Sequence, residues 1–323
     1  MKSVLFFDSK TYEKPWFDKY NQGAYDFDYI ESKLDEKTVA LAKGYDGVCI
    51  FVNDTANAAV IQKLHAYGVG IIALRCSGFN NVDMTEAEKC GIRVMRVPTY
   101  SPYSVAEHAM AMLLTLNRKI HKAYIRTRDF NFSLNHLIGF DLYGKTVGVI
   151  GTGRIGKTFV NICKGFGMRV LCYDIHPDPA AGLEYVSLEQ LLAQSDVLSL
   201  HCPLTKETYH IIDKAALDTL KNGCILINTS RGALIDSEAL LTALREGRLG
   251  GACLDVYEEE AELFYEDKSA TGVKDELLSL IVSRPNVIVT SHQAYLTHEA
   301  LDDIARTTLE NFAEFFSKTD QKT

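Results

Sequence analysis

The chain alternates short apolar runs with amphipathic segments. In its first hundred residues the apolar runs are Ser3–Phe7, Val48–Val52, Gly70–Leu74 and Ile92–Val97, with helical spacing at Thr55–Ala66 and Asp83–Lys89. Continuous apolar strands alternating with helices are what a parallel sheet covered on both faces requires. Pro98-Thr-Tyr-Ser-Pro102 then interrupts the pattern, as two prolines around a polar turn do at a boundary. A long helix is predicted beyond it. Ser104 and Glu107 have capping-box spacing, and Val105, Ala109, Met112, Leu116 and Ile120 recur on one face. A second alternating series starts at Lys145. Its strands are predicted at Thr146–Ile150, Arg169–Tyr173, Asp196–His201, Cys224–Asn228, Gly251–Leu254 and Asn286–Thr290, and its helices include Leu188–Gln194, Lys214–Leu220 and Glu238–Arg245. Six such runs suffice for a doubly wound nucleotide-binding unit. Helical spacing returns over Ala300–Phe316, long enough to cross back onto the first domain. The pattern predicts an α/β protein of two doubly wound parallel-sheet domains with a cleft between them. The first is discontinuous, residues 1–100 with 293–323, and the second spans 101–292.

Composition narrows the function classes. At 323 residues, 47% hydrophobic and 24% charged, the chain can bury two cores. A net charge of -8 argues against nucleic acid or an anionic membrane as partner. The eight cysteines, Cys49, Cys76, Cys90, Cys163, Cys172, Cys202, Cys224 and Cys253, form no CxxC pair, and several lie inside apolar runs. Buried reduced thiols suit a cytoplasmic protein. The apolar run in MKSVLFFDSK is too short for a signal peptide, and no stretch of about 18 apolar residues predicts a membrane span.

The strand TVGVI leads into Gly151-Thr-Gly153-Arg-Ile-Gly156 and then a helix. A GxGxxG is weak evidence alone; between a strand and a helix it specifies a tight turn, a close backbone approach to a pyrophosphate and close helix packing. The helix N-terminus offers free N–H groups to the phosphates. Asp174 ends the next strand, 18 residues after Gly156, where a carboxylate can bond the ribose hydroxyls. Ile175, His176 and Pro177 follow it without an Arg or Lys to accept a 2′-phosphate, so NAD is expected rather than NADP.

Ligands of an open parallel sheet bind beyond the carboxyl ends of its strands. Three such ends carry chemistry: Thr229-Ser230-Arg231-Gly232 after CILIN, Asp255-Val-Tyr-Glu-Glu-Glu260 after GGACL, and Ser291-His292 after NVIVT. An Arg, a carboxylate and a His suit reduction of a keto acid. Hydride adds to the carbonyl carbon, the oxygen needs a proton, and a His can give it near neutral pH. A neighbouring carboxylate favours the charged imidazole, and a guanidinium suits the substrate carboxylate. Of nine histidines, His292 stands out by its place at a strand end, whereas His108 and His121 fall on a helix pattern and His65 and His136 have no chemical neighbours. Spacing does not choose among Glu258, Glu259 and Glu260.

These segments also carry a likeness. GTGRIG, NTSRGALID, LDVYEEE and TSHQA resemble the D-isomer-specific 2-hydroxyacid dehydrogenases, and VCIFVNDT, ALRCSGFNNVD, VPTYSP, HCPLT and FYEDKS resemble the fermentative D-lactate dehydrogenases among them. The resemblance covers essentially the whole chain. It implies a flavodoxin-like substrate domain, a Rossmann NAD-binding domain, and NADH-dependent reversible reduction of pyruvate to D-lactate. It implies Arg231, Glu260 and His292 as the catalytic set. Gly151, Gly153, Arg154, Ile155, Gly156, Asp174, Cys202, Pro203, Thr229, Ser230, Arg231 and Asp255 would line the NAD site. The amides of Ser77 and Gly78 would meet the substrate carboxylate, with Phe51, Tyr100, Tyr295, Arg231 and His292 around the substrate. An aromatic residue at Phe51 goes with small acids in the family. No metal is implied, and a homo-oligomer, dimer or tetramer, is. One departure is Ala261, where the family commonly has Pro after the catalytic Glu. The alternatives are the same chemistry on a bulkier acid such as phenylpyruvate or 2-ketoisocaproate, and a non-enzymatic NAD(H)-sensing protein, because some transcriptional corepressors share the fold.

Overall fold

Two units make up the chain: Met1–Ser101 with the chain from Leu296 onward, and Pro102–Tyr295. The computed structural model describes residues 1–320. The first unit is built on five parallel strands, β1 (Ser3–Phe6), β2 (Asp26–Tyr29), β3 (Gly47–Ile50), β4 (Ile71–Leu74) and β5 (Arg93–Arg96), in the order β2-β1-β3-β4-β5. That is the flavodoxin-like order, with its switch point between β1 and β3. Strands β3 and β4 are buried along their whole length, as their unbroken apolar sequences require.

β2 and the helix before it, Lys14–Asn21, have no counterpart among the predicted elements. The reason is position. β2 is an edge strand whose Asp-Phe-Asp-Tyr alternates exposed and half-buried residues, so it never forms an apolar run. Its Phe27 and Tyr29 rings still pack on Phe6, at centroid distances of 4.9 and 4.8 Å. The helix His298–Asp320 completes this core with Phe312 and Phe316. It is also pinned to the helix Lys14–Asn21, where Tyr20 Oη donates to Asp302 at 2.7 Å and Lys19 pairs with it at 2.6 Å.

The second unit contains β6 (Thr146–Ile150), β7 (Arg169–Tyr173), β8 (Val197–Leu200), β9 (Cys224–Asn228), β10 (Leu249–Leu254) and β11 (Val287–Val289). All are parallel, in the order β11-β10-β9-β8-β6-β7. The six predicted runs are therefore not the full set. A further position lies outside β7, where Tyr185 makes a single parallel bridge to Cys172. Counting it restores the doubly wound order 3-2-1-4-5-6 with one strand more. One pair of N–H bonds, Cys172 to Glu184 and Val186 to Cys172, is all that position has, too short a strand to leave a sequence pattern. Apolar residues cover both sheet faces, Val147 and Val149 on one side and Ile150, Leu200 and Leu226 on the other.

Three of the boundaries that differ from expectation have a clear physical reason. The long helix starts at Pro102, not at a Ser104 cap, because Pro fits the first helical turn; Ser104 is buried within it. It ends at Arg118, where Lys119 takes a left-handed φ of 53°, so Ile120 belongs to a second helix, Ile120–Arg128, and is exposed. The second unit extends to Tyr295 rather than residue 292, because buried Asp255 accepts the backbone N–H groups of Gln293 and Ala294.

Candidate active site

The glycine turn after β6 is shaped by what each glycine meets. Gly151 has φ 92°, and a Cβ there would lie 2.5 Å from the Cys202 nitrogen. A Cβ on Gly156 would lie 2.0 Å from the Gly151 oxygen. Gly153 is different: it precedes the helix Arg154–Gly165, and a Cβ there would meet nothing within 4 Å. Two glycines thus close the turn and the third leaves open space at the N-terminus of a 12-residue helix, which is what a pyrophosphate needs to reach backbone N–H groups. Arg154 and Ile155 form the first turn of that helix.

Asp174 follows β7. Its Oδ2 accepts the N–H and hydroxyl of Thr152 at 2.7 and 3.0 Å, and its Oδ1 accepts the His176 N–H at 2.9 Å. Burial alone would raise its pKa, but these bonds outweigh it and hold the carboxyl below the usual range. It is therefore an anion at neutral pH beside the glycine turn. At the end of β8, Cys202 is buried and Pro203 exposed. Ser230 Oγ donates to the Cys202 carbonyl at 2.6 Å, tying the ends of β8 and β9 together. Thr229, directly after β9, is buried, and its hydroxyl has no protein partner. The glycine turn, the anion after β7 and the tied loops after β8 and β9 fit a dinucleotide.

Arg231 stands on a turn fixed from within: Asn228 Nδ2 donates to the Arg231 carbonyl at 2.8 Å, and Asn228 Oδ1 accepts the Ser230 N–H at 3.0 Å. Gly232 then presses against the next loop, where a Cβ would lie 2.0 Å from the Tyr257 carbonyl carbon. On that loop Glu260 Oε2 accepts the Tyr257 N–H at 2.8 Å, and Glu260 Oε1 lies 2.7 Å from His292 Nδ1. So the Arg231 turn packs on the residue that orients Glu260, and Glu260 holds His292. The other glutamates are used differently. Glu258 Oε1 lies 2.7 Å from His210 Nε2 and its Oε2 accepts from Ser237, whereas Glu259 is exposed.

His292 has φ 51°, an uncommon conformation for a residue with a side chain. Its N–H donates to the Asp255 carbonyl at 2.7 Å, and its carbonyl accepts the Tyr265 hydroxyl at 2.9 Å. The Tyr265 ring faces the imidazole at an interplanar angle of 29°, with centroids 6.2 Å apart. Asp255, expected among the cofactor contacts, has no exposed surface, and its carboxylate accepts from Thr290, Gln293 and Ala294 at 2.6, 2.9 and 2.8 Å. Burial works against its charge, and the donors, His108 first, more than compensate. It therefore supports the His292 turn from inside. His108, Thr290 and Tyr265 were not legible as site residues: His108 Nε2 reaches Thr290 Oγ1 at 3.2 Å across 182 positions, and no local spacing signals that. Tyr295 is buried in the same unit. In the first unit, Phe51 is buried after β3, and Ser77, Gly78 and Tyr100 are half-buried.

A profile described as D-isomer specific 2-hydroxyacid dehydrogenase, NAD binding domain, matches residues 110–294. The D-lactate dehydrogenase of Escherichia coli K12 is 50% identical over 96% of this chain and 95% of its own.

The chain belongs to the D-isomer-specific 2-hydroxyacid dehydrogenases.

Solved structures agree with this membership. The pyruvate reductase of Chlamydomonas reinhardtii superposes with a TM-score of 0.91 at 45% identity, covering 98% of this chain and 96% of that one. A D-lactate dehydrogenase from Aquifex aeolicus, complexed with NAD and lactic acid, gives 0.85 at 34% identity, covering 99% and 96%. The D-2-hydroxyacid dehydrogenase described here is an enzyme that uses NAD, which removes the reading as a non-enzymatic sensor. Among the described residues, no helix is long and apolar enough to cross a membrane and no group of metal-ligating side chains occurs.

Proposed function

We propose that this D-2-hydroxyacid dehydrogenase interconverts pyruvate and D-lactate. The observation that carries the chemistry is the His292–Glu260 pair, 2.7 Å apart at the end of the sheet; the relatives' names and the bulk of Phe51 support a small acid. The glycine turn, Arg154, Ile155, Asp174, Cys202, Pro203, Thr229 and Ser230 would hold NAD, which in its reduced form would supply a hydride for the carbonyl carbon. Glu260 accepts a hydrogen bond from the Nδ1–H of His292, which keeps its own proton and leaves the Nε2 proton for the carbonyl oxygen as it becomes a hydroxyl. In the oxidative direction the neutral imidazole takes that proton back. The Arg231 guanidinium gives one N–H to the Ser230 carbonyl at 2.7 Å, and its remaining donors hold the substrate carboxylate and carbonyl. In this reading the Ser77 and Gly78 amides of the first unit bind the substrate carboxylate and Phe51 and Tyr100 are its pocket residues; Tyr295 is the substrate residue of the second unit.

The test is a panel of 2-keto acids with NADH and NADPH. Pyruvate with NADH is expected to give the highest kcat/KM. A clear preference for phenylpyruvate or 2-ketoisocaproate would replace lactate by the bulkier alternative, and equal use of NADPH would remove the role given to Asp174.

The enzyme is a homo-oligomer in this reading. Phe130, Phe132, Leu134, Ile138 and Tyr143 are each more than 70% exposed on one continuous segment of the second unit, and apolar patches of that kind mark subunit contacts. Light scattering of the parent and of Ile138→Asp distinguishes this from a monomer. Seven of the eight cysteines are buried and none forms a disulfide, which fits the reducing cytoplasm.

A further inference from the structure

The first unit carries a buried cluster of charges that the reaction leaves unused. Asp8 follows β1, Asp54 follows β3, Arg75 follows β4, and Glu13 precedes the helix Lys14–Asn21; all four are at most 5% exposed. Apolar packing of the same volume would be at least as stable as such ion pairs, so filling the core does not account for them.

The cluster converges on Phe51. Arg75 Nε donates to Glu13 Oε2 at 3.0 Å and Nη2 to the Asp8 carbonyl at 2.7 Å, which fixes the guanidinium plane in two directions. The guanidinium carbon then lies 4.9 Å from the centre of the Phe51 ring, and Nη1 has no hydrogen-bond acceptor. Asp54 accepts the Phe51 N–H, and Asn81 Nδ2 donates to the Phe51 carbonyl at 2.8 Å. Phe51 is thus held at both backbone groups and on its ring face.

We propose that Arg75 is a specificity-positioning residue, clamping the Phe51 ring against the substrate and so setting the size of acid the enzyme accepts. This rests on the reading of Phe51 as a pocket wall. A ring free to swing aside would make room for a longer side chain. A desolvated cation over the ring face disfavours that swing, and the planar, doubly held guanidinium does so in one orientation only.

Two variants test it. Arg75→Lys keeps the charge but not the planar face or the fork. Arg75→Met with Glu13→Gln removes both charges together, so that neither is left buried alone. The measurements are kcat/KM for pyruvate and for 2-ketoisocaproate, the KM for NADH, and the thermal melt. The pyruvate preference is expected to fall by about tenfold, through a gain on the larger acid, with the NADH KM unchanged. A preference unchanged in folded variants overturns the proposal, as does an equal loss on both acids, which is what a merely structural role would give. If neither variant folds, Arg75 is structural and the proposal fails. A parent that prefers the larger acid overturns the reading of Phe51 itself, and that is seen before any variant is made.

Discussion

His292 keeps a backbone conformation that costs about 1–3 kcal/mol and persists only where its surroundings impose it. Here the Asp255 carbonyl, the Tyr265 hydroxyl and Glu260 all grip the same residue. Such grip orients an imidazole better than packing alone, and the proton-donor role depends on orientation. Replacing His292 by Ala is expected to lower kcat about 10²–10⁴-fold, as loss of a general acid does. Glu260→Ala is expected to lower kcat for pyruvate reduction while leaving the KM for NADH unchanged, because His292 Nδ1 loses the carboxylate that lies 2.7 Å from it and fixes the direction of the ring. An unchanged kcat would remove Glu260 as the partner.

The loops between strands and helices divide their glycines between fold and ligand. Gly156→Ala pushes a Cβ into the Gly151 carbonyl and is expected to destabilise the second unit by about 1–3 kcal/mol, read from its urea midpoint. Gly153→Ala meets only open space. It should leave the melt nearly unchanged while raising the KM for NADH about tenfold, a lost close approach being worth roughly one such factor. The opposite pattern would reassign the turn. At this scale the sequence reading succeeded where the pattern is local. β6, β7 and β9 sit at their expected bounds because their apolar runs are unbroken, and the glycine turn and the Arg231 turn follow strands plainly written. It failed where a signal is shared with distant chain. β2 reads as polar because only one face is covered, and the position of Tyr185 is one bridge long. Spacing left three glutamates open; the fold gives Glu258 to His210 and Glu260 to His292.

Over the whole molecule, desolvation shifts one group in each unit, with opposite responses to acid. In the first, burial pushes Asp54 up to about 7 against the pull of Arg75 and two backbone N–H groups. The folded unit therefore keeps a proton that the unfolded chain releases, and its stability falls as pH rises from about 4 to about 7. Asp54→Asn is expected to flatten that slope in denaturation followed by the fluorescence of Trp16, the chain's one tryptophan, which lies in this unit. In the second, burial depresses His201 to about 3. The unfolded chain takes up a proton first, so that unit's stability falls as pH drops from about 6.5 to about 3. His201→Gln should reduce the loss, measured by far-ultraviolet circular dichroism; an unaltered acid slope would mean the imidazole is not the group that titrates. The helix His298–Asp320 has a consequence of another kind. Phe312, whose ring packs 6.4 Å from that of Phe6, is translated only after the second unit that separates the two in sequence. The first sheet therefore waits, with its aromatic face uncovered, while the whole second unit is made and folds. The first unit is begun before the second and completed after it.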